Sequence, residues 1–222
     1  MNARSQTFEL SLIGNQTYDA VSSIFHTILL HRTLGKFNNY EGTNKYKMGS
    51  IGYMDVTCDF IDLHYVCCSS SALCSLVNGE ILKFSNAIHE SENHGYNTGQ
   101  ISLEFFERRP QKWPLYSDCV PWEIWTVRLD LVSVTLNNLS DYPRKLGQVI
   151  GDKIIHITDI MNRHENYIPV VSNHTDLEYV FNTSLPDVQP YLFKLDYSIN
   201  GPSSAVSMGS TVRKLLRETF SF

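Results

Sequence analysis

Apolar and polar residues alternate along several stretches of the chain, a pattern typical of β-strands with one buried face. This alternation predicts strands over 8–12, 101–105 and 191–199, and the longest one over 125–131. The strand at 101–105 is expected to stop at Pro110, which lacks a backbone donor. Frequent β-branched and aromatic residues predict one further strand over 55–66.

Apolar residues at helical spacing predict three helices. The first should begin with Thr17 as its N-cap and run to Arg32. The second should follow a cap at Ser69 or Ser70, and the third should carry Pro143 in its first turn. The apolar stripes are Val21, Ile24, Phe25, Ile28 and Leu29; then Leu73, Leu76, Val77, Phe84 and Ile88; then Leu146, Val149, Ile150, Ile154, Ile157, Ile160 and Met161.

The order of these elements indicates the fold class. Strands and helices interleave without a strict βαβ order, which favours an α+β protein. A last helical pattern covers 211–222, after Gly201 and Pro202. No repeat, low-complexity tract or long linker divides the chain, so a single domain is expected over 1–222.

Composition narrows the class of protein. Hydrophobic residues are 42% and charged residues 18% of the chain, which is typical of a folded globular domain. The net charge of −5 argues against a general nucleic-acid or anionic-membrane binder. No apolar run reaches the ~18 residues of a membrane span, and no signal-peptide pattern opens the chain. Together with five cysteines, an odd number, this predicts a cytoplasmic protein without disulfides.

Motifs for catalysis or metal binding are weak. Neither phosphate-binding glycine motif occurs, and there is no C-x-x-C pair. His89 and His94 are more simply surface histidines than metal ligands. Cys119 would need a base such as His31, His64 or His164 to act as a nucleophile, and no local signature supports this. Asp55, Asp59 and Asp62 fall in one predicted strand and more simply form polar positions of a half-buried sheet.

The segment from Arg108 to Trp125 stands out because it is both aromatic and rich in proline. Pro110, Pro114 and Pro121 favour a loop between two strands. The same loop would carry Trp113, Leu115, Tyr116 and Trp122. Two interpretations remain open: the aromatic side chains cover the edge of the sheet, or they form an exposed finger stiffened by Pro114. Tryptophan is frequently an energetic anchor in protein interfaces.

Several ordered blocks give the chain a family resemblance. The blocks are Leu-Leu-His-Arg at 29–32, Gly-Lys-Phe at 35–37, Cys-Asp-Phe-Ile-Asp at 58–62 with Tyr65-Val66, Ser-Leu-Glu-Phe at 102–105, Trp113-Pro114, Pro-Trp-Glu-Ile-Trp-Thr-Val at 121–127, Met-Asn-Arg-His-Glu at 161–165 and Asp-Val-Gln-Pro-Tyr-Leu at 187–192. With them the chain resembles, over essentially its whole length, the HORMA-domain subunits of the autophagy-initiation kinase complex.

The resemblance implies a HORMA fold, with a central, mostly antiparallel sheet backed by three helices and a C-terminal belt segment. It implies an adaptor without enzyme activity, cofactor, nucleic-acid partner or membrane insertion. Such a subunit pairs with the HORMA domain of autophagy-related protein 13 and stabilises it. Through this pairing it is tied to the initiating kinase and scaffold, and it is recruited from the cytoplasm to the phagophore assembly site.

The resemblance also implies site residues. The family's Trp-Pro-Phe finger, which recruits downstream autophagy factors, falls on Trp113, Pro114 and Leu115, with Leu115 in place of Phe and Tyr116 next to it. His31, Arg32 and Asp55 are candidates for the dimer interface. The family's Tyr-Val-Arg-Val is Tyr-Val-Cys-Cys at 65–68, which removes a charge without suggesting a metal site.

Two alternative functions follow from the same features. One is a HORMA protein of the checkpoint or chromosome-axis kind, which would clamp an extended peptide under its C-terminal belt. The other is a cysteine hydrolase that uses Cys119.

Overall fold

The computed structural model describes residues 3–39, 46–92, 94, 97–109, 118–133, 140–163, 167–171 and 176–199. The strands are β1 (Arg4–Leu12), β2 (Thr33–Gly35), β3 (Phe37–Asn39), β4 (Tyr46–Met48), β5 (Tyr53–Thr57), β6 (His64–Cys68), β7 (Thr98–Arg109), β8 (Asp118–Leu131), β9 (Val188–Pro190) and β10 (Phe193–Ile199). The helices are α1 (Thr17–His31), α2 (Ser71–Glu92), α3 (Tyr142–Met161) and α4 (Leu177–Val180). The predicted helix at 211–222 lies outside the described residues.

A four-stranded sheet in the order β1, β8, β7, β10 forms the centre of the fold. β1 pairs with β8 in parallel, whereas the β7–β8 and β7–β10 pairs are antiparallel. The alternation predicted for the first strand is confirmed, because Phe8, Leu10 and Leu12 are buried while their neighbours are more exposed. The sheet and its surrounding helices confirm the α+β class.

Helix α1 is buried on nearly all sides rather than along one stripe. It contacts strand β6 and helices α2 and α3, so its polar residues Ser23 and His26 are buried as well. The predicted cap at Thr17 is wrong: Gln16 holds the N-cap position, and Thr17 is the first helical residue. A short 3-10 helix over Gly14–Gln16 leads directly into α1, so the chain is already turning before Thr17.

The starts of the other two long helices follow the predicted signals. The backbone N–H of Leu73 donates to Ser70 Oγ at 3.2 Å, which makes Ser70 the cap of α2. Pro143 lies in the first turn of α3, where its missing N–H has no helical partner to lose. Leu76 and Val149 do not belong to the buried stripes, because both side chains are exposed.

The prediction of one strand over 55–66 is wrong. Strands β5 and β6 form an antiparallel hairpin, and Asp59 and Asp62 lie in the connection between them. The backbone N–H of Cys58 donates to the carbonyl of Leu63 at 3.1 Å, which closes this turn. The turn is also held by Asp19, whose carboxylate accepts the Phe60 N–H at 2.7 Å.

The predicted loop between Arg108 and Trp125 is shorter than expected. Strand β7 continues to Arg109, as the stop at Pro110 predicts, but strand β8 already begins at Asp118 and includes Pro121 and Trp122. Pro121 is tolerated because β1 pairs with β8 only from Glu123 onward, and the β7–β8 register is irregular opposite it. Trp122 is therefore a buried strand residue.

Within the residues described, no helix is long and apolar enough to cross a membrane.

Candidate functional site

Two sequence blocks that lie far apart along the chain meet in a buried ion-pair cluster. Arg32 follows the end of α1, Arg4 begins β1, and Glu123 lies on β8 directly opposite Arg4 in the register. Glu123 Oε2 accepts from Arg4 Nη2 and from Arg32 Nη2, each at 2.8 Å. Its Oε1 accepts from Arg32 Nε at 3.1 Å. Glu123 and Arg32 are only 1% and 3% exposed, so these charges depend on each other rather than on water.

Aromatic rings enclose this cluster. The indole N–H of Trp125 donates to Glu123 Oε1 at 2.7 Å, which completes the bonding of the carboxylate. The guanidinium of Arg32 lies 5.7 Å from the Trp122 ring centre, and that of Arg4 lies 5.9 Å from the Trp125 ring. Burial lowers the pKa of the Arg4 guanidinium, against the raising effect of Glu123. The Glu123 cluster thus ties the middle of strand β8 to β1 and to the end of α1.

The three candidates for a dimer interface lie in different surroundings. Arg32 is the C-cap residue of α1, and its side chain is buried and forms an ion pair with Glu123 of the same chain instead of projecting into water. His31 is half-buried, with Nδ1 3.1 Å from the Thr27 carbonyl. Asp55 is exposed on β5. Their assignment to a partner contact stays a prediction.

The candidate recruiting residues Trp113, Pro114, Leu115 and Tyr116 lie outside the described residues. The strands that lead to them are described: Arg109 of β7 is paired with Asp118 of β8. Arg109 is held by Glu107, which also accepts a hydrogen bond from Tyr167 Oη at 3.2 Å. The segment 110–117 therefore joins the paired ends of the two longest strands of the sheet.

The β5–β6 hairpin exposes apolar side chains next to Asp55. Tyr53 is 74% exposed and Met54 is 47% exposed. Successive strand residues point to opposite faces, so both faces of β5 are open to solvent here. Within the described part of the chain, β5 pairs only with β6.

A cleft of about 490 Å³ lies between α1, the β5–β6 hairpin and the start of α2. Its lining includes His26, Cys67 and Cys74, and one ring nitrogen of His26 and the two cysteine Sγ atoms all lie within 4.8 Å of one another. His26 Nε2 is 2.7 Å from Asn78 Oδ1. Burial lowers the pKa of His26 and raises that of Cys67 to about 12.

Sequence reasoning missed this cluster because its members come from three separate elements. His26 is on α1, Cys67 on β6 and Cys74 on α2. The spacing of Cys67 and Cys74 matches no common metal motif. The one usable signal was that two cysteines flank the start of the second predicted helix; nothing local indicated His26, which lies off the apolar stripe predicted for the first helix.

The geometry gives no support to a hydrolase based on Cys119. Cys119 is exposed on β8, and all five cysteines are free. His31 is bonded to the Thr27 carbonyl, and His64 Nδ1 lies 3.0 Å from Thr57 Oγ1. His164 lies outside the described residues. His89, which is exposed, contacts Glu92 at 3.4 Å.

Comparison with known proteins shows which family the chain resembles. The family model described as Autophagy-related protein 101 matches residues 9–175. Proteins named Autophagy-related protein 101 from Xenopus tropicalis and Homo sapiens are 40% and 39% identical over 220 residues, 99% of each chain. One from Arabidopsis thaliana is 21% identical over 212 residues, 86% of this chain and 90% of that protein.

The fold and these matches define the chain as an autophagy-related protein of α+β architecture. Within that class it belongs to the Autophagy-related protein 101 family.

Proposed function

We propose that this chain is a non-catalytic adaptor of autophagy initiation with a single HORMA domain. It pairs through its body with the HORMA domain of autophagy-related protein 13, stabilises it, and ties it to the initiating kinase and scaffold. It is itself recruited to the phagophore assembly site, and it recruits downstream autophagy factors through Trp113, Pro114, Leu115 and Tyr116, called here the Trp113 segment. The observation that carries the proposal is the likeness to Autophagy-related protein 101 along 99% of the chain. A mostly antiparallel sheet with three long helices agrees with the HORMA plan.

The β5 hairpin is the surface that we assign to the HORMA partner. Tyr53 and Met54 offer apolar area on both faces of the strand, and Asp55 adds an exposed charge beside them. Tyrosine and methionine are enriched in interface cores, and a charge at the rim favours one partner over another. The net charge of −5 makes a neutral or basic partner face the complementary one.

Replacing Tyr53 and Met54 together with serine should weaken binding to the HORMA domain of autophagy-related protein 13 by about 100-fold, as expected for truncation of interface anchors. Calorimetric titration of the purified chain with that domain measures the effect. Leu82→Ser is the matched control, because Leu82 is exposed on α2 rather than on the hairpin. An unchanged affinity in the double variant, with both proteins folded, would remove the hairpin from the interface.

The Trp113 segment is the surface that we assign to downstream factors. It joins β7 and β8, which pair up to Arg109 and Asp118, and the Glu123 cluster ties β8 to β1 and to the end of α1. Pro114 restricts the backbone of the segment, which lowers the entropy cost of binding. Leu115 keeps the apolar character of the family's Phe without its ring.

The double change Trp113→Ala and Leu115→Ala should leave folding and pairing with autophagy-related protein 13 intact and abolish autophagosome formation in cells. Tryptophan truncation at an interface anchor removes a large apolar area at once. Counting autophagosomes after starvation measures the result, and co-purification of the partner is the control. Normal autophagosome numbers in this variant would refute the recruiting role.

A further inference from the structure

We propose that His26, Cys67 and Cys74 form a binding site for one Zn²⁺ ion, with its fourth coordination position facing the cleft. Imidazole nitrogen and cysteine sulfur are the ligands that zinc prefers, and a site with three protein ligands leaves one position for water or another ligand. The inference rests on the three ligand residues and not on the proposed partner contacts, although Met54 of the partner surface lines the same cleft.

The distances suit such a site after a small closure. In tetrahedral coordination with Zn–S bonds of about 2.3 Å, two sulfur ligands lie about 3.8 Å apart. The ligand atoms of the three residues already lie within 4.8 Å of one another. Closing the site therefore requires side-chain shifts of about 1 Å, less than a change of rotamer produces.

The surroundings orient the ligands before any ion binds. Asn78 Oδ1 can only accept, so His26 Nε2 donates to it at 2.7 Å and Nδ1 keeps the lone pair that a metal needs. Such a second hydrogen bond is typical of zinc-binding histidines. The His26 ring also packs on Tyr65, with ring centres 6.1 Å apart. The Cys74 thiol donates to the Cys68 carbonyl at 3.4 Å in the metal-free chain, and this hydrogen bond is broken when the thiol gives up its proton to bind the ion.

The charges balance in a way that suits a buried site. Binding replaces the two thiol protons of Cys67 and Cys74 with one Zn²⁺ ion and releases two protons to solvent. The resulting pair of thiolates and the ion carry no net charge, so the low exposure of His26 and Cys67 costs little. Because the three ligands come from α1, β6 and α2, the ion would fasten the β5–β6 hairpin to both helices.

Titration of the full-length chain with Co²⁺ and then Zn²⁺ tests the proposal. Thiolate-to-cobalt charge-transfer bands and the visible bands of tetrahedral Co²⁺ should appear at one equivalent, and one equivalent of Zn²⁺ should remove them. The variants Cys67→Ser and Cys74→Ser should each weaken Zn²⁺ binding by at least about 100-fold, since a thiolate ligand is lost. Cys119→Ser is the matched control and should bind like the original chain, because Cys119 is exposed on β8.

The melting temperature is a second measurement of zinc binding, used in case one of the cysteine variants folds poorly. Zn²⁺ should raise the melting temperature of the original chain and of Cys119→Ser, and it should not raise that of Cys74→Ser, whose position is only half-buried. The proposal is overturned if the original chain shows no tetrahedral cobalt spectrum, or if the spectrum and the zinc-induced stabilisation persist in both Cys67→Ser and Cys74→Ser.

Discussion

Replacing Glu123 with alanine is expected to lower the free energy of unfolding by about 3–5 kcal/mol, the usual cost of breaking a buried ion pair from one side. The carboxylate accepts from Arg4, Arg32 and Trp125. Removing it leaves the Arg32 guanidinium, which is 3% exposed, without its counter-charge. Both the desolvation of that cation and the loss of a packed side chain then act against the folded state.

Chemical denaturation with urea measures this effect, with Glu9→Ala as the matched control. Glu9 is on β1 and pairs with Arg128 at 3.5 Å, but its side chain is 76% exposed, so its removal should cost less than about 1 kcal/mol. Glu123→Gln keeps the size of the side chain and removes the charge, so it should lose much of the same stability. A loss below about 1 kcal/mol for Glu123→Ala would mean that water reaches Arg32 and that the cluster does not hold β8 to the end of α1.

The elements with regular periodicity could be predicted from the sequence. The alternation at 8–12 and 125–131 marks buried faces, and Pro143 and Ser70 are local signals that act within one turn. The errors fall where tertiary contacts decide. The run at 55–66 is rich in β-branched and aromatic residues on both sides of Asp59 and Asp62, yet Asp19 of α1 fixes a turn in its middle by accepting from Phe60. No local pattern contains that contact.

The candidate site was predictable only in part, for the same reason. The blocks at 29–32 and 121–127 were recognisable as motifs, but the bond between Arg32 and Glu123 joins residues 91 positions apart. A charged residue at a helix end is ordinarily solvated, so nothing local indicated that Arg32 is buried. The approach of His26 to Cys67 and Cys74 likewise depends on how α1 packs against β6 and α2. Sequence identifies such residues as polar or reactive, while the packing decides which of them meet.

Replacing Gly35 with alanine is the second change with a large expected effect, a loss of about 3 kcal/mol in the free energy of unfolding, at the upper end for overpacking. A Cβ at this position would lie 1.9 Å from the carbonyl oxygen of Gly49 and 2.2 Å from its carbon. Both are backbone atoms, so no side chain can move aside. Gly35 ends β2, and Gly49 follows β4, where its N–H donates to the Lys36 carbonyl at 2.9 Å. The contact therefore closes the base of the β3–β4 hairpin.

Gly79→Ala is the matched control for this prediction, because it adds the same methyl group in a different environment. A Cβ at Gly79 meets nothing within 4 Å, and the residue lies in the middle of α2. Alanine there should raise the free energy of unfolding by about 0.5–1 kcal/mol, since it favours the helix over the unfolded chain. Urea denaturation of both variants measures the two changes in the free energy of unfolding, which should have opposite signs. If Gly35→Ala were as stable as the original chain, the backbone at Gly49 would have to yield freely, and the hairpin would not be fixed to β2 by this contact.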